Sequence, residues 1–174
     1  MAKTRETRKN AEILRELQNH GWFRNISDKY QVGIPDNIGS YRGLLFGIEV
    51  KAVGSVPKNG LAPAKKDHRF TKTQVKELER IQKEGGGVGL GFLICGDFLF
   101  WFSYDYINED GQVDCHRLTK EMKFIKKEKG LGWDALGAVL SLIWAARMKE
   151  LLHAVAATHA HHYPKDEEKK DEAN

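Results

Sequence analysis

The sequence predicts an α/β protein, because segments with helical spacing alternate along it with short apolar runs that are typical of strands. Three observations support this fold class: a helical stripe in residues 4–20, an alternating segment at residues 44–51, and two apolar runs joined by Gly96-Asp97. With 41% hydrophobic and 30% charged residues among 174, the composition indicates one globular domain and argues against a disordered chain.

The first helix and the strand that follows it each have two unlike faces. Apolar side chains at helical spacing predict the helix over residues 4–20. Residues 44–51 are apolar at every even position, whereas the odd positions include Glu49 and Lys51. Since successive side chains of a strand point to opposite faces, we expect the even positions to face a core.

A loop, a second helix and a hairpin are predicted next. Residues 53–70 combine two prolines with four Lys or Arg and are expected to form a mobile basic loop, too polar for a regular buried element. Residues 71–84 have a helical pattern that begins at Thr71 as N-cap and ends before a run of glycines. The strands at residues 88–95 and 98–104 flank a two-residue turn of the kind that joins hairpins.

Two further helices are predicted in the last third of the chain, a weaker one over residues 118–129 and a longer one over residues 134–159. The longer helix is apolar around more of its circumference than one core contact requires. We therefore divide the chain into a core at residues 1–130, a C-terminal helix at 131–162 and a disordered charged tail at 163–174. The helix packs either on the core or in a dimer interface.

Charge is unevenly placed along the chain. Residues 1–90 hold 17 Lys or Arg against 10 Asp or Glu, within a net charge of +4. A polyanion-binding face produces such an excess, and so does an ordinary solvated patch. Cys95 and Cys115 are too few for a disulfide framework, and neither a signal peptide nor a spanning segment is recognisable, which predicts a reduced, cytoplasmic protein.

Asp36, Glu49 and Lys51 form the pattern that carries chemistry. An edge strand that shows polar groups to water explains a lone Glu-x-Lys, but the turn-rich segment before the strand brings Asp36 toward Glu49. These two carboxylates and the backbone carbonyl of Val50 are the oxygen ligands that Mg²⁺ prefers. A metal there acts as a Lewis acid on phosphate, while Lys51 orients a water or neutralises developing charge. The pattern predicts phosphodiester hydrolysis and leaves the number of ions open.

The residues around this pattern resemble a known family. Pro35-Asp36 followed by Glu49-Val50-Lys51 resembles the signature of the PD-(D/E)XK nucleases. Residues 36–52, and residues 70–74 leading into Gly85-Gly86, are similar to the RecU-type Holliday-junction resolvases. The resemblance spans residues 33–106. It implies a restriction-endonuclease-like core, with a central mixed β-sheet flanked by helices plus a long C-terminal helix, and Mg²⁺ (or Mn²⁺ in its place) as cofactor.

The resemblance also implies roles for individual side chains. Asp36 and Glu49 become metal ligands together with the Val50 carbonyl, Lys51 the catalytic lysine, and Gln74 a supporting residue of the site. Gln74 also matches a capping box with Thr71, in which it caps the helix and does nothing else. Many nucleases of this class take one more acid from the first helix. The candidates here are Glu12 and Glu16, of which we prefer Glu12.

One departure from the family pattern affects the expected substrate. The long stalk of RecU-type enzymes is missing between the first helix and Asp36, so the layout is closer to compact archaeal-type or phage resolvases and also admits the VRR-NUC nucleases. We expect a Holliday-junction resolvase. The alternatives are a flap or single-strand nuclease of the VRR-NUC kind and a non-catalytic DNA-binding protein.

Branched DNA and a second copy of the chain are the expected partners. A four-way junction must be cut at two related strands, which favours a homodimer. Contacts to DNA phosphates, without base reading, are expected from the basic residues of the first helix, the turn and the loop. These residues are Arg5, Arg8, Lys9, Arg15, Arg42, Lys58, Lys65, Lys66, Arg69 and Lys72.

Overall fold

The computed structural model describes residues 4–26, 33–127 and 133–162, with side chains described as far as residue 158. Its helices are α1 (Arg5–Gln18), α2 (Lys72–Lys83), α3 (Cys115–Lys120) and α4 (Leu136–His162). Its strands are β1 (Trp22–Asn25), β2 (Asn37–Tyr41), β3 (Leu44–Val53), β4 (Leu61–Ala62), β5 (Val88–Cys95), β6 (Phe98–Ser103), β7 (Val113–Asp114) and β8 (Phe124–Lys126).

Six of the strands form one mixed sheet in the order β1-β2-β3-β5-β6-β8. Strands β3 and β5 run parallel, and every other neighbouring pair is antiparallel. Strands β4 and β7 form a separate two-stranded sheet. The architecture confirms the predicted fold class, a central mixed sheet flanked by helices. Because β3 lies between β2 and β5, its Glu-x-Lys pair is not on an edge strand.

Strand β3 has the two faces that its sequence predicts. The even positions Leu44, Phe46, Ile48 and Val50 are buried in a core that also contains side chains of α1 and α4. On the opposite face Glu49 is only 1% exposed and Lys51 only 8% exposed. A carboxylate and an ammonium so deeply buried must find polar partners within the protein, since desolvation otherwise costs several kcal/mol per ion.

Helix α2 packs directly on the face of the sheet that carries these charges. Gly47 and Gly89 are neighbours across β3 and β5. A Cβ at Gly47 would collide with the Ile81 side chain, and one at Gly89 with the Leu78 backbone, both on α2. The missing side chains therefore allow the close approach of α2, which sets its N-terminal turn beside the end of β3 that bears Glu49.

The predicted helix over residues 118–129 is wrong over most of its length. The Asp114 side chain accepts hydrogen bonds from the backbone N–H groups of His116 and Arg117, so the helix starts earlier, at Cys115. It ends at Lys120, and Met122 takes a left-handed backbone conformation with φ 54°. The residues that follow pair with β6 as strand β8. Their pairing with the edge of the sheet overrides the weak helical pattern.

The segment predicted as a polar loop over residues 53–70 is more ordered than expected. It contains β4 and a 3₁₀ turn at Lys66–His68, and both Ala62 and Phe70 are buried. Strand β4 pairs with β7, and Phe70 packs against the Phe102 ring with centroids 5.6 Å apart. These apolar anchors fix both ends of the basic stretch between them.

Helix α4 is buried only at its beginning. Leu136, Val139 and Leu140 belong to the core, whereas Leu152 and Val155 are 63% and 67% exposed. In the described part of the chain, the segment of α4 beyond Leu151 therefore projects from the core. No helix among the described residues is both long and apolar enough to cross a membrane. The predicted charged tail at residues 163–174 lies outside those residues.

Candidate active site

The site begins where β2 starts, at the residue that follows Asp36. Strand β2 pairs with β3 only as far as Ile48, so the backbone of β3 beyond that point lacks a strand partner on that side. The carboxylate of Asp36 takes this place, and its Oδ2 accepts a hydrogen bond of 2.9 Å from the N–H of Val50. Because N–H and C=O of one strand residue point to the same side, the Val50 carbonyl also faces Asp36.

Glu49 is the centre of the polar contacts. Its Oε1 lies 2.9 Å from the ammonium of Lys51 and accepts a hydrogen bond from Nε2 of Gln74. Its Oε2 accepts one of 3.3 Å from the backbone N–H of Asp36. The structure thus brings together Asp36, Glu49, Lys51 and Gln74, with the Val50 backbone beside them, as the sequence predicts.

Gln74 makes the contacts that both of its predicted roles require. Its Oε1 accepts a hydrogen bond of 2.9 Å from the N–H of Thr71, and the Thr71 hydroxyl accepts one from the N–H of Gln74, which completes a capping box. The amide nitrogen is left to donate to Glu49. Helix capping therefore orients the side chain that holds the central carboxylate.

The site places an excess of acid in a buried environment. Burial and the neighbouring Asp36 carboxylate raise the pKa of Glu49 to about 7, against the opposing effect of Lys51. Burial likewise raises the pKa of Asp36 above its usual value, although the Val50 N–H and Lys51 counteract it. Burial lowers the pKa of Lys51, but the carboxylates around it outweigh that effect and raise it overall. The cluster has more negative groups than its one ammonium balances.

The first-helix acid that lies at the cluster is Glu6, and the structure does not bring Glu12 or Glu16 there. Oε1 of Glu6 lies 3.3 Å from the Lys51 ammonium. Glu12 instead pairs with Lys9 and Lys127, and Oε2 of Glu16 accepts a hydrogen bond from Asn19. Glu12 and Glu6 are about 9 Å apart along the helix axis, at 1.5 Å per residue, so both cannot serve the same site.

The sequence held a signal for Glu6 that our choice of Glu12 passed over. Ile13 and Leu17 are the buried residues of α1. Extending this buried stripe toward the N-terminus by one and two turns gives Asn10 and Glu6, which therefore share its face. Asn10 accepts a hydrogen bond of 2.6 Å from Asn37, the residue after Asp36. An acid in the first turn of a helix usually indicates only dipole compensation, which conceals this role.

His68 is a second residue near the site that the sequence did not indicate. Its Nδ1 lies 3.7 Å from Oε2 of Glu6 and is buried without a hydrogen-bond partner among the described residues. Two clefts meet at Thr4 and Glu6. One, of about 410 Å³, is also lined by Asp36, and the other, of about 640 Å³, by His68. Glu6 therefore stands between two openings to the cluster.

The ten predicted phosphate contacts occupy different positions. Arg5 and Lys65 line the larger cleft, and Lys72 is the first residue of α2, near Gln74. Arg42 lies at the opposite end of β3, stacked over the rings of Tyr41 and Trp144 at 5.2 and 5.3 Å. Lys9 pairs with Glu12, and Arg69 donates to the Ala64 carbonyl. The remaining four are exposed: Arg8, Arg15, Lys58 and Lys66.

The donor atoms fit a hard divalent cation that keeps part of its water shell. Within the described ranges, no group of three or more His, Cys, Asp or Glu side chains has the arrangement of a metal cage. The possible ligands are the carboxylates of Asp36 and Glu49 and the carbonyl of Val50. Mg²⁺ commonly binds through one or two carboxylates and retains several waters, so this set of oxygen ligands suits Mg²⁺ or Mn²⁺ and does not suit metals that prefer imidazole or thiolate ligands.

Comparison with known proteins bears on the fold. No family model matches the sequence, and no curated protein matches it. The structure is similar to that of Hjc from Archaeoglobus fulgidus, a Holliday junction resolvase from an archaeal hyperthermophile, with a TM-score of 0.52 and 16% sequence identity. The match covers 66% of this chain and 92% of that one. At this identity the likeness shows that the two chains share a fold.

Proposed function

We propose that this protein is a metal-dependent endonuclease that cuts branched DNA, most specifically a four-way junction. The observation that carries the proposal is the convergence of Asp36, Glu49 and Lys51 at the point where β2 leaves β3. The shared fold with a junction resolvase supports the same activity. The excess of buried acid supports a cation as the missing positive charge.

Each side chain of the cluster has a definite task in this reaction. When bound by Asp36, Glu49 and the Val50 carbonyl, Mg²⁺ would supply Lewis-acid polarisation of a phosphate and a more acidic water. The ammonium of Lys51, held between Glu49 and Glu6, is placed to orient a nucleophilic water or to stabilise negative charge on the phosphate. Gln74 fixes the rotamer of Glu49 through its amide.

The basic residues favour binding to the backbone of DNA. Arg5 and Lys65 line the cleft next to the cluster, and Lys58, Lys66 and Lys72 are exposed on the segments around it. Contacts of this kind neutralise phosphates without reading sequence, so we expect binding that weakens steeply with salt. Arg42 is excluded from this set, since it stacks at the far end of β3.

We also propose that two copies act together. A junction has two related strands to cut, so a two-fold symmetric dimer with one site per copy matches it. The first part of α4 packs on the chain's own core, where Leu140 is buried and against which Ile143 packs. Among the described side chains of α4, the large apolar ones that are exposed are Leu142, Leu152 and Val155. A Leu152→Glu variant that stays dimeric in sedimentation would exclude this surface.

The experiment that tests the function compares substrates of different shape. The protein is incubated with a four-way junction, a flap, a nicked duplex and a linear duplex, each with and without Mg²⁺. We expect symmetric paired nicks in the junction that require the metal. Preferential cutting of the flap would establish the VRR-NUC-type alternative. Binding to all four substrates without any cleavage would establish the non-catalytic one.

A further inference from the structure

The larger cleft beside the cluster has a volume of about 640 Å³ and lies between the N-terminal turn of α1, the end of β3 and the segment that follows β3. Sites that hold small organic ligands commonly have volumes of roughly 300–1,000 Å³, so one nucleotide fits within it. Glu6 lines both this cleft and the cleft that reaches Asp36. A DNA strand whose phosphate lies at the cluster would therefore place an adjoining nucleotide here.

The lining of the cleft combines apolar and charged side chains. Ala52, Val53 and Pro57 are apolar. The charged residues of the lining are the cations Arg5 and Lys65 and the acids Glu6 and Asp67. Apolar surface fits the face of a nucleobase, and it does not fit a phosphate group, which carries full charge. The two cations suit the phosphates on either side of such a base. A strand that passes only its backbone through the cleft would leave the apolar lining unused.

His68 supplies an aromatic surface in the same cleft. Its side chain is 45% exposed, whereas its Nδ1 is buried and lies 3.7 Å from Oε2 of Glu6. The imidazole ring is one of the surfaces on which unpaired bases stack, so the exposed part of this ring suits the face of a base.

From these observations we propose that the cleft receives one unstacked nucleotide next to the scissile phosphate. This inference rests on the proposed function and narrows its substrate to DNA with an unpaired or easily unpaired base at the cut. Extruding a base from a continuous duplex costs free energy, and this cost is smallest where pairing is already interrupted. The cleft would thus select branch points without recognising their sequence.

The test follows one base at a time. 2-Aminopurine, whose fluorescence rises when it leaves the base stack, is placed singly at each position around the branch of a four-way junction. Ca²⁺ replaces Mg²⁺ so that the bound DNA stays intact. We expect a several-fold rise in emission at one position beside the cleavage site and little change at the others.

A variant that fills the cleft tests whether the rise in 2-aminopurine emission depends on this cleft. A Cβ on Gly54 would meet only Nη1 of Arg5, at 3.4 Å, which is ordinary van der Waals contact. Gly54→Leu is expected to fill the space and abolish the rise in emission, whereas Gly54→Ala, the matched control, is expected to retain it. Ala64 also lines this cleft and is exposed, so Ala64→Leu is expected to fill the cleft as well, and it replaces Gly54→Leu in the test should that variant not fold.

The outcomes separate this inference from the proposed function. Mg²⁺-dependent cleavage by the wild type without a rise in emission at any position would overturn the inference alone, and so would a rise that both filling variants retain. A rise that disappears in Gly54→Leu, in a protein that cuts no DNA, would support the nucleotide cleft and overturn the endonuclease proposal.

Discussion

Two groups of charged side chains, both including a glutamate of α1, differ in the balance of their charges. The active-site cluster is the candidate site formed by Asp36, Glu49, Lys51 and Glu6, with the uncharged Gln74 beside them. The Glu12 cluster consists of Lys9, Glu12 and Lys127. In the first, three carboxylates surround one buried ammonium, whereas in the second two ammonium groups surround one partly exposed carboxylate.

As a result, the pKa of Glu49 in the active-site cluster and the pKa of Glu12 in the Glu12 cluster move in opposite directions. Burial and Asp36 raise the pKa of Glu49 to about 7. Partial burial also raises that of Glu12, but its hydrogen bonds and charge interactions with Lys127 and Lys9 outweigh the burial and lower it. A carboxylate whose charge is already balanced has little to gain from a metal. The comparison therefore indicates that charge imbalance, and not the mere presence of Glu–Lys pairs, distinguishes the candidate site.

The largest expected effect comes from removing a charged group of the active-site cluster. We expect Lys51→Ala and Asp36→Asn each to reduce Mg²⁺-dependent cleavage by at least about 10²–10³-fold, since each removes a group that stabilises charge in the transition state or holds the metal. Junction affinity measured in Ca²⁺ should change little. Cleavage that survives both substitutions would refute the assignment of the site.

Glu6 and Glu12 provide the next test, because they lie on the same helix and differ in their partners. Glu6→Gln removes one of the two acids that hold Lys51 and is expected to lower cleavage by about 10–100-fold, the range found for groups that orient active-site residues. Glu12→Gln is the matched control and should leave cleavage within about twofold. The rates of the two variants are compared at equal DNA occupancy. An equal loss of cleavage in the two variants would refute the assignment of Glu6 as the first-helix acid of the site.

Glu6 and Glu12 also show how much of the site could be predicted from the sequence. The alternation of residues 44–51 predicted β3 and its two unlike faces, and the turn-rich segment before it predicted the approach of Asp36 to Glu49. The place of Gln74 beside them was implied by the family resemblance, and the burial of Glu49 and Lys51 was not predicted. The buried stripe of α1 indicates the helix face that bears Glu6. It could not show which turn of that face approaches β3, because long-range contacts such as the Asn10–Asn37 hydrogen bond set the position of the helix. His68 was not predicted for the same reason. It lies in a polar segment whose position is fixed by long-range contacts of β4 and Phe70 on either side.

The pH dependence of stability should have opposite signs in the two clusters. Glu49 binds its proton more tightly folded than unfolded, so its contribution to the free energy of unfolding falls as the pH rises from about 4.5 to about 7, by on the order of 3 kcal/mol. Glu12, with a lowered pKa, stabilises the fold above its unfolded pKa and loses that contribution as the pH falls through the folded one.

Denaturant unfolding of the metal-free wild type and of Glu49→Gln across pH 5–8 measures the first contribution. The variant should become progressively more stable relative to the wild type as the pH rises, and the difference should level off above pH 7. Mg²⁺ should stabilise the wild type more at pH 8 than at pH 6, because protons compete for Glu49. A constant difference between the two proteins would show that Glu49 has an ordinary pKa.

A smaller effect separates the two roles of Gln74. Thr71→Ala removes the N-cap hydroxyl and should cost about 0.5–2 kcal/mol of stability without lowering cleavage, since the amide of Gln74 still reaches Glu49. Gln74→Ala should cost a similar amount of stability and also reduce cleavage by about tenfold, within the range for supporting groups. Thermal unfolding and cleavage rates of both variants decide this. An equal loss of cleavage in Thr71→Ala and Gln74→Ala would mean that Gln74 supports the site only by capping α2.

The smallest expected effect belongs to Lys127, the counterpart of Lys51 in the Glu12 cluster. Lys127→Ala removes one of two ammonium groups beside a partly exposed carboxylate, and Lys9 remains at 2.9 Å from Glu12. Exposed ion pairs contribute about 0–1 kcal/mol, so the free energy of unfolding should change by no more than that. Cleavage should match the wild type, because no acid is left unbalanced in the active-site cluster. A large loss of activity in this variant would mean that the two clusters are coupled through α1 and that charge balance alone does not explain their difference.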